Sequence, residues 1–136
     1  MHQVVTDGFV LSVAGAIAGC RNNFYIAIGA GESSWDGNLP DVSSDMTSLI
    51  HETARKPIAK VEYLDDNDDP VEGITAKINL VSHRFSAEDY EGPVRECGLF
   101  FVDGDTEIMV MYSVFERVDI TPQLTITKNM IINLAS

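Results

Sequence analysis

The chain has 136 residues, 45% hydrophobic and 22% charged, which suits one globular domain spanning 1–136 and argues against disorder or a fibrous repeat. Its 21 Asp and Glu against 9 Lys and Arg give a formal charge of −12, which repels phosphate backbones and anionic lipid and argues against nucleic acid or membranes as partners. The two cysteines, Cys20 and Cys97, allow one disulfide at most, and a reducing compartment is the simpler assumption.

Thr6 or Asp7 can cap a helix in which Phe9, Val10, Val13, Ala14 and Ile17 follow the three-and-four spacing and Gly19 ends it. The apolar run from Gly8 to Cys20 is shorter than the roughly 20 residues that span a bilayer. It is preceded by Asp7 and by no Lys or Arg, so it lacks the basic start of a secretion signal. Phe24 to Gly29, FYIAIG, is rich in aromatic and β-branched residues and lies between Asn-Asn and Gly-Ala-Gly, which predicts a buried strand. A loop of Gly, Ser, Asp and Pro around Trp35 runs on to Ser44. Asp45 then opens a second predicted helix, DMTSLIHETARK, with Met46, Leu49, Ile50 and Ala54 on one side and Pro57 stopping it.

IAKVEYL, the acidic segment DDNDDPVEG and the alternating ITAKINLV read as a hairpin with a wide polar connection. Val94 to Val102 and Glu107 to Phe115 flank Asp103-Gly104-Asp105, and an Asp-Gly pair between β-prone runs predicts a tight hairpin. Leu124, Ile126, Met130, Ile132 and Leu134 then alternate with polar residues, Lys128 being the interruption, and form a closing strand. The expected class is α+β: two helices in the N-terminal half packed on a mostly antiparallel sheet of about six strands, with no βαβ rhythm.

The stretch RECGLFF holds a thiol flanked by an arginine, a glutamate and a glycine, and charged neighbours can make a thiol reactive. In an extended strand, however, Cys97 shares a face with Leu99 and Phe101, while Glu96, Gly98 and Phe100 point the other way, so Cys97 reads as a packing residue. Arg95 shares the parity of Cys97 but stands near the strand's start, where its guanidinium can reach the surface or a carboxylate. A cysteine enzyme would need a base from His2, His51 or His83, and no nucleophile signature accompanies any of them.

Gly29-Ala30-Gly31 follows a strand but lacks the third glycine and the helix of a dinucleotide fingerprint, so the glycines are read as sharp turns. Trp35 is either a lid over the core or an exposed anchor for a partner. Asp65, Asp66, Asp68, Asp69 and Glu72 crowd one connection without EF-hand spacing, which favours a solvated turn over a calcium site. Lys128 reads as a snorkelling residue or an edge-strand guard.

The segments TDGFVLSVAGAIAG, YIAIGAGESSW, TSLIHETARKPIAKVEY and VRECGLFF followed by DGDTEIMVMYSVF cover most of the chain. In this order the chain resembles the bacteriophage tail-collar fibre family: the N-terminal attachment domain of phage tail fibres and related small baseplate or neck proteins. The family's strand reads Arg-Glu-x-Gly-Leu-Phe with an aliphatic residue at x, where this chain has Cys97. A hairpin, a second strand and a closing strand follow. The resemblance implies a structural role for Arg95, Glu96, Cys97, Gly98, Leu99 and Phe100, and a homo-oligomer such as a ring or trimer.

Fibres continue into a shaft and receptor-binding tip, whereas this sequence ends at Ser136, so the expectation is a stand-alone adaptor. It would be made in the host cytoplasm, reside in the virion's tail, baseplate or neck, and dock fibres or other tail proteins without catalysis, cofactor or metal. Trp35 and the acidic residues Asp65, Asp66, Asp68 and Asp69 are the candidate contact points. The competing expectations are a hydrolase or transferase using Cys97 with a histidine base, and a calcium-dependent binding module.

Overall fold

A computed structural model describes residues 2–5, 23–72 and 77–133. The strands are β1 (His2–Val5), β2 (Phe24–Gly29), β3 (Glu52–Leu64), β4 (Pro70–Val71), β5 (Lys77–Ser82), β6 (Gly92–Asp103), β7 (Thr106–Ile120) and β8 (Asn129–Asn133). They form one curled antiparallel half-barrel sheet in the order β1-β7-β6-β2-β3-β5-β8, with β4 paired to β3. Among the described residues helical backbone is confined to a 3-10 turn, Ser33–Trp35, and to Asn23 just before β2.

The expected α+β class is therefore corrected: the described chain is sheet and loop, with no helices packed on the sheet. The first predicted helix, Thr6 to Gly19, lies outside the described residues. The second does not form. Residues 45–51 are irregular and Glu52 onward belongs to β3, with Ala54 opposite Ile28, Arg55 opposite Ala27 and Lys56 opposite Ile26.

The three-and-four spacing over this segment is real, but its apolar side chains cover a sheet rather than a neighbouring helix. Trp35, Leu39, Val42, Met46 and Leu49 all pack onto the outward face of β2, β6 and β7, where Ala27, Phe100, Met109, Tyr112 and Val114 are buried. Gly37 takes a φ of 82° and Pro40 lacks an N–H, so the backbone between those anchors turns instead of coiling. Pro57, read as a helix stop, marks a different boundary. β3 pairs with β2 as far as Pro57 and with β5 from Ile58 onward, and a residue with no N–H is tolerated where the ladder changes partners.

The hairpins follow their turn chemistry. β6 and β7 pair from Asp103 opposite Thr106, leaving Gly104 and Asp105 as a two-residue loop; Gly104 at φ 60° in the first place is the type II′ arrangement. β3 and β5 pair across the acidic connection, with Tyr63 opposite Ile78. The inner face of the curl holds the main core, including Ile26, Ile28, Phe85, Leu99, Met111 and Met130. β6 is buried on both faces from Val94 to Phe100, because the inner core covers one side and the 30–51 loop the other.

Candidate functional site

Val94, Cys97 and Leu99 all belong to the inner core. Val94 and Cys97 are three residues apart, an odd spacing that simple alternation would place on opposite faces. The break falls where the β6–β7 register shifts between Val94 and Glu96. This slip sends Arg95 and Glu96 toward the outer loop, and the expectation that Arg95 shares the parity of Cys97 is corrected on that ground.

Glu96 is 0% exposed and its two oxygens accept four hydrogen bonds. Oε1 takes the Ile50 N–H at 2.8 Å and the Tyr112 hydroxyl at 2.7 Å. Oε2 takes the N–H groups of His51 at 2.8 Å and Gly31 at 3.1 Å. One carboxylate thus fastens both ends of the loop, which also meet directly where the Ala30 N–H donates to the His51 carbonyl at 2.9 Å. Burial, then the bond to Glu96, pushes the Tyr112 hydroxyl far above the ordinary phenol range, so Tyr112 stays a donor.

Arg95 clasps the same loop from beside it. Only 5% exposed, it donates Nε to Asp36 Oδ1 at 2.8 Å, Nη2 to Asp36 Oδ2 at 3.1 Å and Nη1 to the Ala30 carbonyl at 2.8 Å. The fork matches a carboxylate bidentately, a geometry an ammonium cannot reproduce. The hydrogen bond from Arg95 holds the Asp36 carboxyl below its usual value.

The glycines make room for this arrangement. A Cβ on Gly29 would stand 2.5 Å from Glu96 Oε2 and 2.7 Å from the His51 carbonyl oxygen. Gly31 combines a φ of 62° with a Trp35 ring carbon 2.4 Å from where its Cβ would be, and Gly98 leaves the space that Leu49 fills. The Gly-Ala-Gly motif and Trp35 meet Arg95, Glu96 and Gly98 in one locus, with Cys97 turned to the other face. Asp36, Tyr112 and the backbone of residues 50–51 complete it. Those members carry no sequence signal, because their roles come from strand register and loop closure.

Trp35 is half-buried and packs on the outer cluster. The acidic loop stands apart from the clasp. Asp65 Oδ1 accepts the N–H groups of Asn67 at 2.8 Å and Asp69 at 3.0 Å, Asp68 pairs with Lys77 at 2.7 Å, and Asp66 is exposed. These are the contacts of a self-capped turn, and no group of three or more metal-ligating side chains occurs among the described residues.

Cys97 lies on the inner face, 2% exposed, opposite Ser113. Burial pushes its thiol up to about 12 against the pull of the Lys128 cation. It lines a cavity with Gln3, Ser113, Lys128, Asn129 and Ile131, and no histidine borders it. His51 instead faces Glu32 at the surface at 3.7 Å, and His83 is exposed. A nucleophile that is neutral at pH 7 and has no base beside it is unsuited to covalent catalysis. Native protein at pH 7 is expected to resist thiol labelling at Cys97 until denaturant unfolds it, read by peptide mass spectrometry so that Cys20 is scored separately. Rapid native labelling would return Cys97 to the list of reactive thiols.

No protein-family model matches this chain, and a search of curated proteins finds no match either. The geometry by itself defines a class: an antiparallel half-barrel carrying one long loop locked to its outer face by a buried carboxylate and a buried guanidinium.

Proposed function

We propose that this protein is a structural component of a bacteriophage or phage-tail-like virion, an adaptor in the tail, baseplate or neck that docks fibres or other tail proteins and performs no chemistry. The observation that carries this reading is the use to which the ionisable residues of RECG are put. Arg95 and Glu96 spend their hydrogen-bonding capacity on the 30–51 loop, so the segment resembling the tail-collar fibre family serves to hold a surface in shape. The family-like segments around Gly31, His51 and Arg95 converge on that one place.

The loop so held exposes Glu32, Ser33, Ser34, Gly37 and Asn38, with Ile50 44% exposed beside the clasp. A rigid loop on a rigid sheet suits docking by complementarity, because little ordering entropy is lost on contact. The net negative charge suits basic faces on neighbouring subunits.

Light scattering on the purified protein is expected to show a homo-oligomer, and pull-down against disassembled particles of the same virus should recover a tail, baseplate or neck protein. A strictly monomeric protein that captures none of them would remove this reading.

A further inference from the structure

The two end strands of the curled sheet, β1 and β8, both contribute to one cavity of about 240 Å³, lined by Gln3, Cys97, Ser113, Lys128, Asn129 and Ile131. Gln3 stands opposite Ser113 on β7, and Ser113 opposite Cys97 on β6, so these three form a cross-strand row on a single face. Lys128, Asn129 and Ile131, at the start of β8, complete the lining.

Two features of this cavity are not used by the fold. Ser113 is 2% exposed, and its Oγ has no nitrogen or oxygen partner among the described residues, its polar neighbour being the weakly bonding Cys97 thiol opposite. A buried hydroxyl without a partner costs stability, and such groups in native structures call for a reason. Lys128 is half-buried with its ammonium 3.6 Å from the centre of the Phe115 ring, and among the described residues no carboxylate lies within ion-pair distance of it. The aromatic face attracts the cation but leaves its N–H donors without an anionic acceptor.

We propose that this cavity binds a small organic carboxylate, its oxygens accepting from Lys128 Nζ and Ser113 Oγ and its carbon body lying against Ile131. The donors decide the class. One ammonium, one hydroxyl, one weak thiol and the Gln3 amide, the Asn129 amide being committed to Asn79, match a single carboxylate, whereas phosphate sites are usually built from several cations or a nest of backbone N–H groups. The volume restricts the ligand to a few heavy atoms beyond the carboxylate. The proposal is independent of any virion role, since the cavity lies on the inner face and the clasp on the outer one.

The test is an NMR titration of the full chain with acetate, propionate and succinate, with sodium chloride at matched ionic strength as the control. Saturable shifts of the Ser113, Cys97 and Lys128 amides are expected with a carboxylate and not with chloride. Lys128→Met keeps the aliphatic stem and should weaken binding by about tenfold or more. Ser113→Ala should also weaken binding, yet leave the unliganded protein as stable as before or more so, because it removes an unpaired buried hydroxyl. That pairing separates a ligand-facing serine from a structural one. No saturable shift up to tens of millimolar carboxylate, equal shifts with chloride, unchanged affinity in a folded Lys128→Met protein, or a clear loss of stability in Ser113→Ala would each overturn the proposal.

Discussion

Glu96→Ala is expected to lower folding stability by roughly 3–5 kcal/mol, the range for removing one partner from a fully buried charged network. Four donors lose their acceptor together: the N–H groups of Gly31, Ile50 and His51 and the hydroxyl of Tyr112. The loop's ends lie against β2 and β6, so water cannot replace all four without opening the outer face. Glu96→Gln is the sharper variant. It keeps the shape but replaces one accepting oxygen with an NH₂ that faces donors, and should cost about 2–3 kcal/mol.

Urea unfolding gives the magnitude, and amide hydrogen exchange the location. Protection should fall at Gly31, Ile50 and His51 while the β6–β7 ladder keeps its own. A Glu96→Gln protein with the wild-type midpoint and unchanged loop protection would show that the carboxylate does not hold the loop.

Arg95→Met should be the second most damaging change, at about 2–3 kcal/mol, since it keeps the buried stem and removes the hydrogen bonds to Asp36 and to the Ala30 carbonyl. Asp36→Asn should do less, because Asp36 itself is partly exposed and the new amide keeps one oxygen that can accept from the guanidinium. The pair also predicts a pH dependence with a definite sign. Asp36 has its carboxyl lowered from 3.8 by the hydrogen bond to Arg95. A group depressed in the folded state contributes stability above its unfolded value and loses it as pH falls through the folded one.

The stability gap between wild type and Arg95→Met should accordingly be full near neutrality and narrow below about pH 4. The bond to Ala30 does not titrate, so the gap should not close. Urea midpoints measured for both proteins from pH 7 to pH 2.5 decide this, and a gap that widens in acid would rule out the pairing as the source.

The clasp also explains why a segment with helical spacing is not a helix. In a helix, the Ile50 and His51 N–H groups would be committed to carbonyls four residues earlier. Here they are committed to a carboxylate on β6 that is distant in sequence and fixed in place by the sheet. Leu49, on the same segment, fills the space over Gly98, and burying one such side chain contributes about 1.5–3 kcal/mol. Tertiary partners of this strength outweigh an intrinsic helix preference of at most several tenths of a kcal/mol per residue.

Local chemistry determined a good deal of this protein from the sequence alone. FYIAIG is a strand because its β-branched and aromatic residues suit burial on both faces, and Gly104 turns the β6–β7 hairpin because it adopts a positive φ without steric cost. The inward direction of Cys97 also followed from its alternation with Leu99. Only the tertiary structure decided the fate of residues 45–56, the outward turn of Arg95 and the meeting of Gly31, Ile50, His51 and Tyr112 on Glu96. Each of these depends on a register shift or a contact between residues far apart in the chain, and periodicity reports which face a side chain takes only while the register is unbroken. RECG therefore showed from sequence where a strand would be buried, and only the folded sheet showed that its charged pair ties down a loop.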